Sequence, residues 1–412
     1  MPVTLTMNNS DTLNIGISFN FSAQDTWSNI GNKNKVPIFL IGQAPNATTD
    51  FPVNKLTLID QPSTANRLFG EDLTNNEFAL PVGILQRYGC QRIICCRVTY
   101  PQEIADYDQA IIGLETPQRT GLHLIKSVFA HYGANPIAAL ICNDSLFLDN
   151  THIQWITDFT ELMTEVNSTY VENYYPTATV ADVESSRSAE SDVGWATKNS
   201  RLILCYGHVK DKDDPEKNYV AQVEPLKYHL VGAFAQQFHN DPSMSPGGQK
   251  LLGVSEVIEP MKLSTTDHES DNERITDTGV VTLNRISIIN SVQTAPDDQT
   301  ISSDLVLWGT RNTLYPSEES LLSFLHAIPF RDYIASVLES RAAKFLYRAA
   351  NVANGRNVEE SCREGLNKYN IKVNFIPELS NYQENYLYFE VEYVIGSVTQ
   401  RIHFNVQLSI GS

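Results

Sequence analysis

Leu305-Val-Leu-Trp-Gly-Thr-Arg-Asn-Thr-Leu314 carries a short apolar run that ends on Trp308-Gly309, followed by a Pro, Ser and Glu break before Pro329. The run predicts a strand that stops at a glycine turn. Pro329 suits the first turn of a helix, and no further proline or glycine appears until Gly355. Ile334, Leu338, Ala342, Phe345 and Ala349 recur at helical spacing, so a long helix with one apolar face is expected over 329–350. Arg341, Lys344 and Arg348 fall at i, i+3 and i+7 as a basic stripe on the flank of that face, with Asp332 and Glu339 on the other side. Taken alone, such a stripe reads as an ordinary solvated face.

Upstream of this stretch the pattern alternates between buried strands (36–42, 90–98, 136–142, 201–206) and helices (75–88, 102–113, 122–132, 153–166, 220–238). That order implies an α/β domain around a largely parallel sheet. Residues 182–192 and 210–217 read as polar connections. After Gly279 the grammar changes: strands over 280–289 and 304–307, the long helix, a second helix over 357–369, a strand over 371–375, then a hairpin of 386–395 and 398–408 around Gly396-Ser397. Both ends of the chain alternate with period two. Val3, Leu5, Ile15 and Ile17 lie in the first 22 residues, and Ile402, Phe404, Val406 and Leu408 in the last stretch. Such strands need a sheet to join, in the same chain or by addition to a neighbour. The fold class is therefore α/β plus α+β: an N-terminal arm (1–22), an α/β domain (23–279), a smaller α+β unit (280–398) and a C-terminal strand (399–412).

A net charge of −18 argues against nucleic acid as the partner. From residue 327 onward nine cations balance nine anions, so the whole deficit lies in 1–326 and the two parts are expected to face different surroundings. No apolar run approaches the roughly 18 residues of a membrane span, and no signal-like segment opens the chain. A soluble protein kept in a cytosol is expected, with no membrane insertion. Cys90, Cys95, Cys96, Cys142, Cys205 and Cys362 show no CxxC pairing and read as reduced core thiols.

The sequence carries no catalytic or nucleotide-binding signature. GxGxxG, GxxxxGK[ST] and GxSxG are absent. Asp144 follows the 136–142 strand, but neither His131 nor His152 stands at a meaningful spacing from it, and the three read as a turn former and packed or surface histidines. The acidic run Asp267, Glu269, Asp271, Glu273 and Asp277 invites a calcium reading. A calcium loop requires Gly at its sixth position and Glu at its twelfth, where this chain has Asn272 and Thr278. Pro246-Gly-Gly-Gln-Lys250 lacks the helix that a phosphate loop needs behind it. No catalytic, cofactor-binding or metal residues are expected, although an α/β enzyme or ligand-binding protein with an appended α+β unit is the alternative from a different class.

Several stretches together carry a resemblance. Val231-Gly-Ala-Phe-Ala235, Asp241-Pro and Ser245-Pro-Gly-Gly-Gln-Lys-Leu-Leu-Gly-Val254 resemble the hallmark segment of contractile bacteriophage tail sheath proteins. Thr278-Gly-Val280 to Asn284 is similar to that family's next motif. Trp308, Gly309 and Arg311 match its VWGARTL signature, with one extra residue before Thr313. Tyr88-Gly-Cys90 and the following strand are similar to its NGG turn. The Phe-x-Pro-Asn segment common after the family's long helix is not reproduced near Asn351.

The resemblance implies a structural subunit and no enzyme. The expected assembly is a set of hexameric rings stacked in a helix around a tail tube protein, with baseplate and tail-terminator proteins at the ends. Its place would be the virion tail, after assembly in the host cytoplasm, and contraction would drive the tube through the host envelope. The sheath of a bacterial contractile injection or type VI-like secretion system is the alternative. An outer subtilisin-like α/β domain without catalytic apparatus, an inner α+β unit and arms that donate strands to neighbours are also implied. Arg341, Lys344 and Arg348 then become tube-facing candidates.

Overall fold

The computed structural model describes residues 3–6, 36–73, 75–100, 110–116, 118–143, 152–211, 223–264, 267, 269–289, 301–318, 320–346, 348–383 and 386–394. Ile15, Ile17, Asp144, Ile402, Phe404, Val406 and Leu408 lie outside them, as do most of the helix expected over 102–113 and the second strand of the expected terminal hairpin.

The strands are β1 (Val3–Thr6), β2 (Ile38–Gln43), β3 (Leu56–Ile59), β4 (Ile93–Val98), β5 (Ala138–Ile141), β6 (Thr169–Asn173), β7 (Leu202–Cys205), β8 (His208–Asp211), β9 (Val223–Pro225), β10 (Val254–Val257), β11 (Val280–Ile289), β12 (Ile301–Trp308), β13 (Lys372–Phe375) and β14 (Phe389–Tyr393). An eight-stranded sheet runs β12-β11-β7-β6-β5-β2-β4-β3. From β11 to β4 the neighbours are parallel, and the two edge strands β12 and β3 are antiparallel. A parallel sheet is covered on both faces, which is why β2 (Ile-Phe-Leu-Ile-Gly-Gln) and β4 (Ile-Ile-Cys-Cys-Arg-Val) read as continuous apolar runs. Alternate residues serve opposite cores: Ile38 and Leu40 join one cluster, Phe39 and Ile41 the other.

The helices that cover the faces are α1 (Pro62–Phe69), α2 (Ala79–Arg87), α3 (Val128–Tyr132), α4 (Gln154–Glu165), α5 (Val180–Arg187), α6 (Leu226–Asn240) and α7 (Asp271–Thr276). The first core takes α1, α2 and α6, and the second takes α3, α4 and α5. All six cysteines are buried and free. Burial pushes the Cys90, Cys96 and Cys362 thiols up to about 12, which keeps them protonated and inert.

The C-terminal unit has its own core. The helices α8 (Ala327–Ala342) and α9 (Val352–Leu366) pack over a three-stranded sheet of order β1-β14-β13. Phe330, Ile334 and Leu338 of α8 meet Val358, Cys362 and Leu366 of α9 above Val373, Phe375, Val391 and Tyr393. No helix among the described residues is long and apolar enough to cross a membrane.

Four expectations are corrected. The strands expected over 280–289 and 304–307 as part of the smaller unit join the large sheet, because Val280 and Val281 pair in parallel with Leu204 and Cys205. The polar connection expected over 182–192 begins as α5, whose Thr179 and Asp182 form a reciprocal capping box. The helix expected from residue 220 starts only at Leu226, after β9 and Pro225. The long helix ends at Ala342, followed by a single 3-10 turn over Ala343–Phe345, so Arg348 and Ala349 are not on it. Chain reversal into α9, which Asn351 caps through the Asn354 N–H, overrides a stretch of good helix formers.

Candidate functional site

The motif residues, far apart in sequence, converge where the chain leaves the large sheet. Trp308 ends β12, and its indole N–H donates to Glu273 at 3.2 Å. Gly309 has φ of +114°, and a Cβ there would press on Thr276 Cγ2 (3.1 Å) and Val281 Cα (3.3 Å). Gly247 of the Ser-Pro-Gly-Gly segment lies against Thr310 and the Gly309 carbonyl. Residues 248–251 run along the outer edge of β12, with Gly248 N–H on Leu307 O and Leu251 N–H on Leu305 O, both at 2.8 Å. That pairing, with an isolated bridge between Lys250 and Val306, ties the segment to a strand edge and not to the helix that a phosphate loop needs behind it. Gly279 abuts the Asn312 and Tyr315 carbonyls. Arg311 stacks 3.8 Å above the Phe324 ring and also bonds Ser323 Oγ, closing the loop that leads into α8.

Arg187 holds this loop from the other side. It is buried, and its five N–H groups meet five carbonyls: Thr278 (3.1 Å), Trp195 (2.9 Å), Thr197 (3.0 Å), Thr313 (2.6 Å) and Tyr315 (3.4 Å). Among the described residues it meets no carboxylate at ion-pair distance, and burial lowers its pKa. Arg201 and Asp332 make the second tie at 2.9 Å, both almost fully buried, with Arg331 on the other carboxylate oxygen at 3.1 Å. Phe238 packs edge-on against Tyr333, and Asp241 of the hallmark segment faces Lys368 at 3.3 Å.

The remaining hallmark glycines serve a buried relay between α2 and α6. The Leu252 N–H donates to the Tyr88 oxygen (3.0 Å), which leaves the phenol proton for His229 Nδ1 (3.0 Å). His229 Nε2–H then donates to Glu224 (2.9 Å), onto which Arg87 forks at 2.8 and 3.1 Å. Burial opposes ionisation of Glu224, but the His229 and Arg87 bonds overcome it and hold the carboxyl low. A Cβ on Gly232 would run into the Tyr88 ring, and one on Gly253 would reach Arg87 Nη1 at 3.0 Å. Gly232→Val is therefore expected to lower stability by about 1–3 kcal/mol through overpacking. Thermal unfolding measures it, and an unshifted transition would show that the helices separate freely here.

An α/β sheet ordinarily holds a ligand at such a switch as the one between β2 and β5, and here Glu77 lies at the end of β2. The Glu77 carboxylate accepts from Gln43 N–H (2.8 Å) and Tyr100 O–H (2.7 Å) and crowds Gly42. His131 bonds the Ser127 carbonyl of its own helix turn, and His152 stacks on Trp155. In the acidic run, Asp267 pairs with Lys262, and Asp271 with Arg274. Among the described residues no cluster of His, Cys, Asp and Glu could hold a metal ion.

The expected basic stripe is dispersed. Arg341 turns toward α9 and pairs with Glu364 at 3.3 Å, packing over Gly365. Lys344 is exposed in the 3-10 turn, and Arg348 is exposed with its guanidinium 4.8 Å over Phe345. Val3 and Leu5 stand opposite Tyr393 and Val391 in the β1–β14 register of the same chain. Sequence reasoning missed Arg187 and Arg201 and placed Asp332 only on the polar side of the long helix, yet these three carry the junction.

A chain of this kind, a mostly parallel sheet handed through a motif loop to a small α+β unit, has the fold of contractile sheath proteins. The sheath of the anti-feeding prophage in its contracted state matches with a TM-score of 0.60 over 97% of this chain and 100% of that one, at 10% identity. The contracted sheath complex of an extracellular contractile injection system, PVC, gives 0.59 over 98% and 99%, at 11% identity. The sheath tail protein of Desulfitobacterium hafniense gives 0.54 over 93% and 98%, at 12% identity. In sequence, the tail sheath protein of Burkholderia phage BcepMu is 24% identical over 169 residues, 41% of this chain and 32% of the relative. The match thus spans about a third of that relative's length. No protein-family model matches. The resemblance to contractile tail sheath proteins drawn from the motifs holds in both comparisons, and the relatives are sheath proteins, not enzymes.

Proposed function

We propose that this chain is the repeating subunit of a contractile sheath, polymerising as hexameric rings stacked in a helix around a tail tube and shortening to drive that tube through an envelope. The observation that carries the reading is the ordered motif run folded into the junction of a chain whose fold matches sheath proteins over nearly its whole length. Baseplate and tail-terminator proteins are its partners at the two ends, in a phage tail or a phage-like injection device. The α/β domain, the counterpart of the subtilisin-like outer layer, faces outward, and the α+β unit lines the lumen. Val3, Leu5, Ile15, Ile17, Ile402, Phe404, Val406 and Leu408 supply strands between neighbours. Negative-stain imaging of the purified chain is expected to show striated tubes. A protein that stays monomeric at every concentration and turns over a substrate would overturn the reading in favour of the enzyme alternative.

On this reading the tube contacts come from the α8 end, with Lys344 and Arg348 as the exposed cations and Arg341 partly occupied by Glu364. Screened ion pairs contribute about 0–1 kcal/mol each, which suits a contact that must release during contraction. Reversing Arg341, Lys344 and Arg348 to Glu is expected to weaken co-sedimentation with the tube by roughly ten- to a hundredfold while sheath tubes still form. Unchanged tail assembly in the triple variant would remove this end of α8 from the interface.

A further inference from the structure

The two helix layers of the large sheet differ in charge. In the first, α1, α2 and α6 carry no carboxylate, and their cations Arg67, Arg87 and Lys227 each pair with a carboxylate of the same chain. In the second, α4 and α5 carry Asp158, Glu161, Glu165, Asp182 and Glu184, against one cation, Arg187, which is buried among carbonyls. α4 turns Trp155, Ile156, Phe159 and Met163 to the core and leaves its three carboxylates exposed in one row, at i, i+3 and i+7. Lys126 meets Glu165 at 2.6 Å, but among the described residues no cation pairs with Asp158 or Glu161.

The layers also differ in what covers them. Every residue of α6 from Leu226 to Ala235 is buried, so the first layer has further structure outside it. Part of that structure is the C-terminal unit, whose Tyr333 packs against the first core and edge-on to Phe238. Among the described residues, nothing after Val280 belongs to the second core. The acidic layer thus lies across the sheet from the C-terminal unit.

We infer that the α4–α5 layer is the exterior wall of the assembled particle, bare of other subunits and repellent to anionic surfaces. The inference rests on the sheath reading, which sets the C-terminal unit at the lumen; with that unit inward, the layer across the sheet points out. Charge leads to the same orientation by a separate route. Packing this row against its own copy in a neighbour would juxtapose like charges, at a cost of several kcal/mol. The first layer has no answering row, since its helix cations are already paired. Left in water, the carboxylates keep nucleic acid, anionic lipid and other particles at a distance. A protein that docks on the outside must then bring a basic surface.

The test uses tubes assembled from the purified chain, whose six native cysteines are buried. Glu161→Cys is expected to react with a maleimide polymer too large to enter the lumen at the same rate in free subunits and in tubes. Lys344→Cys, beyond the end of α8, should react only in free subunits. Asp158→Lys/Glu161→Lys/Glu165→Lys should still form tubes. These should bundle with parent tubes at low salt and separate at about 1 M salt, where the Debye length falls to about 3 Å. Protection of Glu161→Cys on assembly, or a folded triple variant that forms no tubes, would overturn the wall by placing α4 between subunits. Variant tubes that stay dispersed among parent tubes would overturn its repellent role. Tubes in which both cysteines react would remove the C-terminal unit from the lumen, and the wall with it. A parent chain that forms no tubes fails the sheath reading itself, on which the wall depends.

Discussion

Arg187→Ala is expected to destabilise the protein by about 3–5 kcal/mol, one of the largest effects available in the chain. The guanidinium is the shared donor for carbonyls from three separate segments: 195–197, Thr278 and 313–315. Each carbonyl is positioned by the others through that one side chain. Removing it leaves several acceptors facing a void, and a buried polar group without a partner costs about 1–3 kcal/mol. Water entering the void recovers part of the loss, which keeps the total below the simple sum. Arg187→Lys retains the charge but offers three donors around a point instead of five in a planar fork, so an intermediate loss is expected. The check is thermal unfolding together with limited proteolysis: cleavage within 312–318 should appear early in the alanine variant. A melting curve and a digestion pattern identical to the parent's would show that the motif loop is held by other contacts.

Much of the large sheet was legible because burial on both faces forces continuous apolar runs, and β2, β4, β5 and β7 are such runs. β6 was not, because Thr-Tyr-Val-Glu-Asn carries a carboxylate that no periodicity argument places in a core. Its Glu172 is fully buried, and burial raises its pKa against the opposing pull of Lys227, which reaches it at 2.6 Å from α6. The partner lies 55 residues away in sequence, so only the fold pairs them. The sheet that β11 and β12 join was hidden for a related reason. The hairpin of β11 and β12 looks like the start of a new unit, yet two residues, Val280 and Val281, bind it to the old one. The motif glycines were visible as a pattern, but their role was not. Gly232, Gly247, Gly253, Gly279 and Gly309 each make room for a contact with a distant segment, and a single sequence holds the vacancy without the neighbour that fills it.

The tie between the large sheet and the C-terminal unit yields the other large expectation. Asp332 is a single carboxylate between two guanidiniums, Arg201 at 2.9 Å and Arg331 at 3.1 Å, and all three groups are nearly or fully withdrawn from water. Arg201 is further held by Asn167 Oδ1 at 2.8 Å and the Ser168 carbonyl at 3.3 Å, so it cannot swing out to solvent without breaking those bonds. Asp332→Ala leaves two buried cations facing each other, and breaking a buried pair by removing one partner costs about 3–5 kcal/mol. The loss falls on one boundary, since Arg201 precedes β7 in the large sheet and Asp332 lies in the first turns of α8. Calorimetry should therefore show the C-terminal unit melting before the α/β domain in Asp332→Ala, where the parent melts the two together. Replacing both ends with apolar residues, Arg201→Met with Asp332→Leu, removes the stranded Arg201 charge and is expected to recover a substantial part of the loss. A double variant as unstable as the sum of its singles would mean that the pair acts through packing alone. A single cooperative transition in Asp332→Ala would mean that the motif loop and Arg187 couple the α/β domain to the C-terminal unit without it.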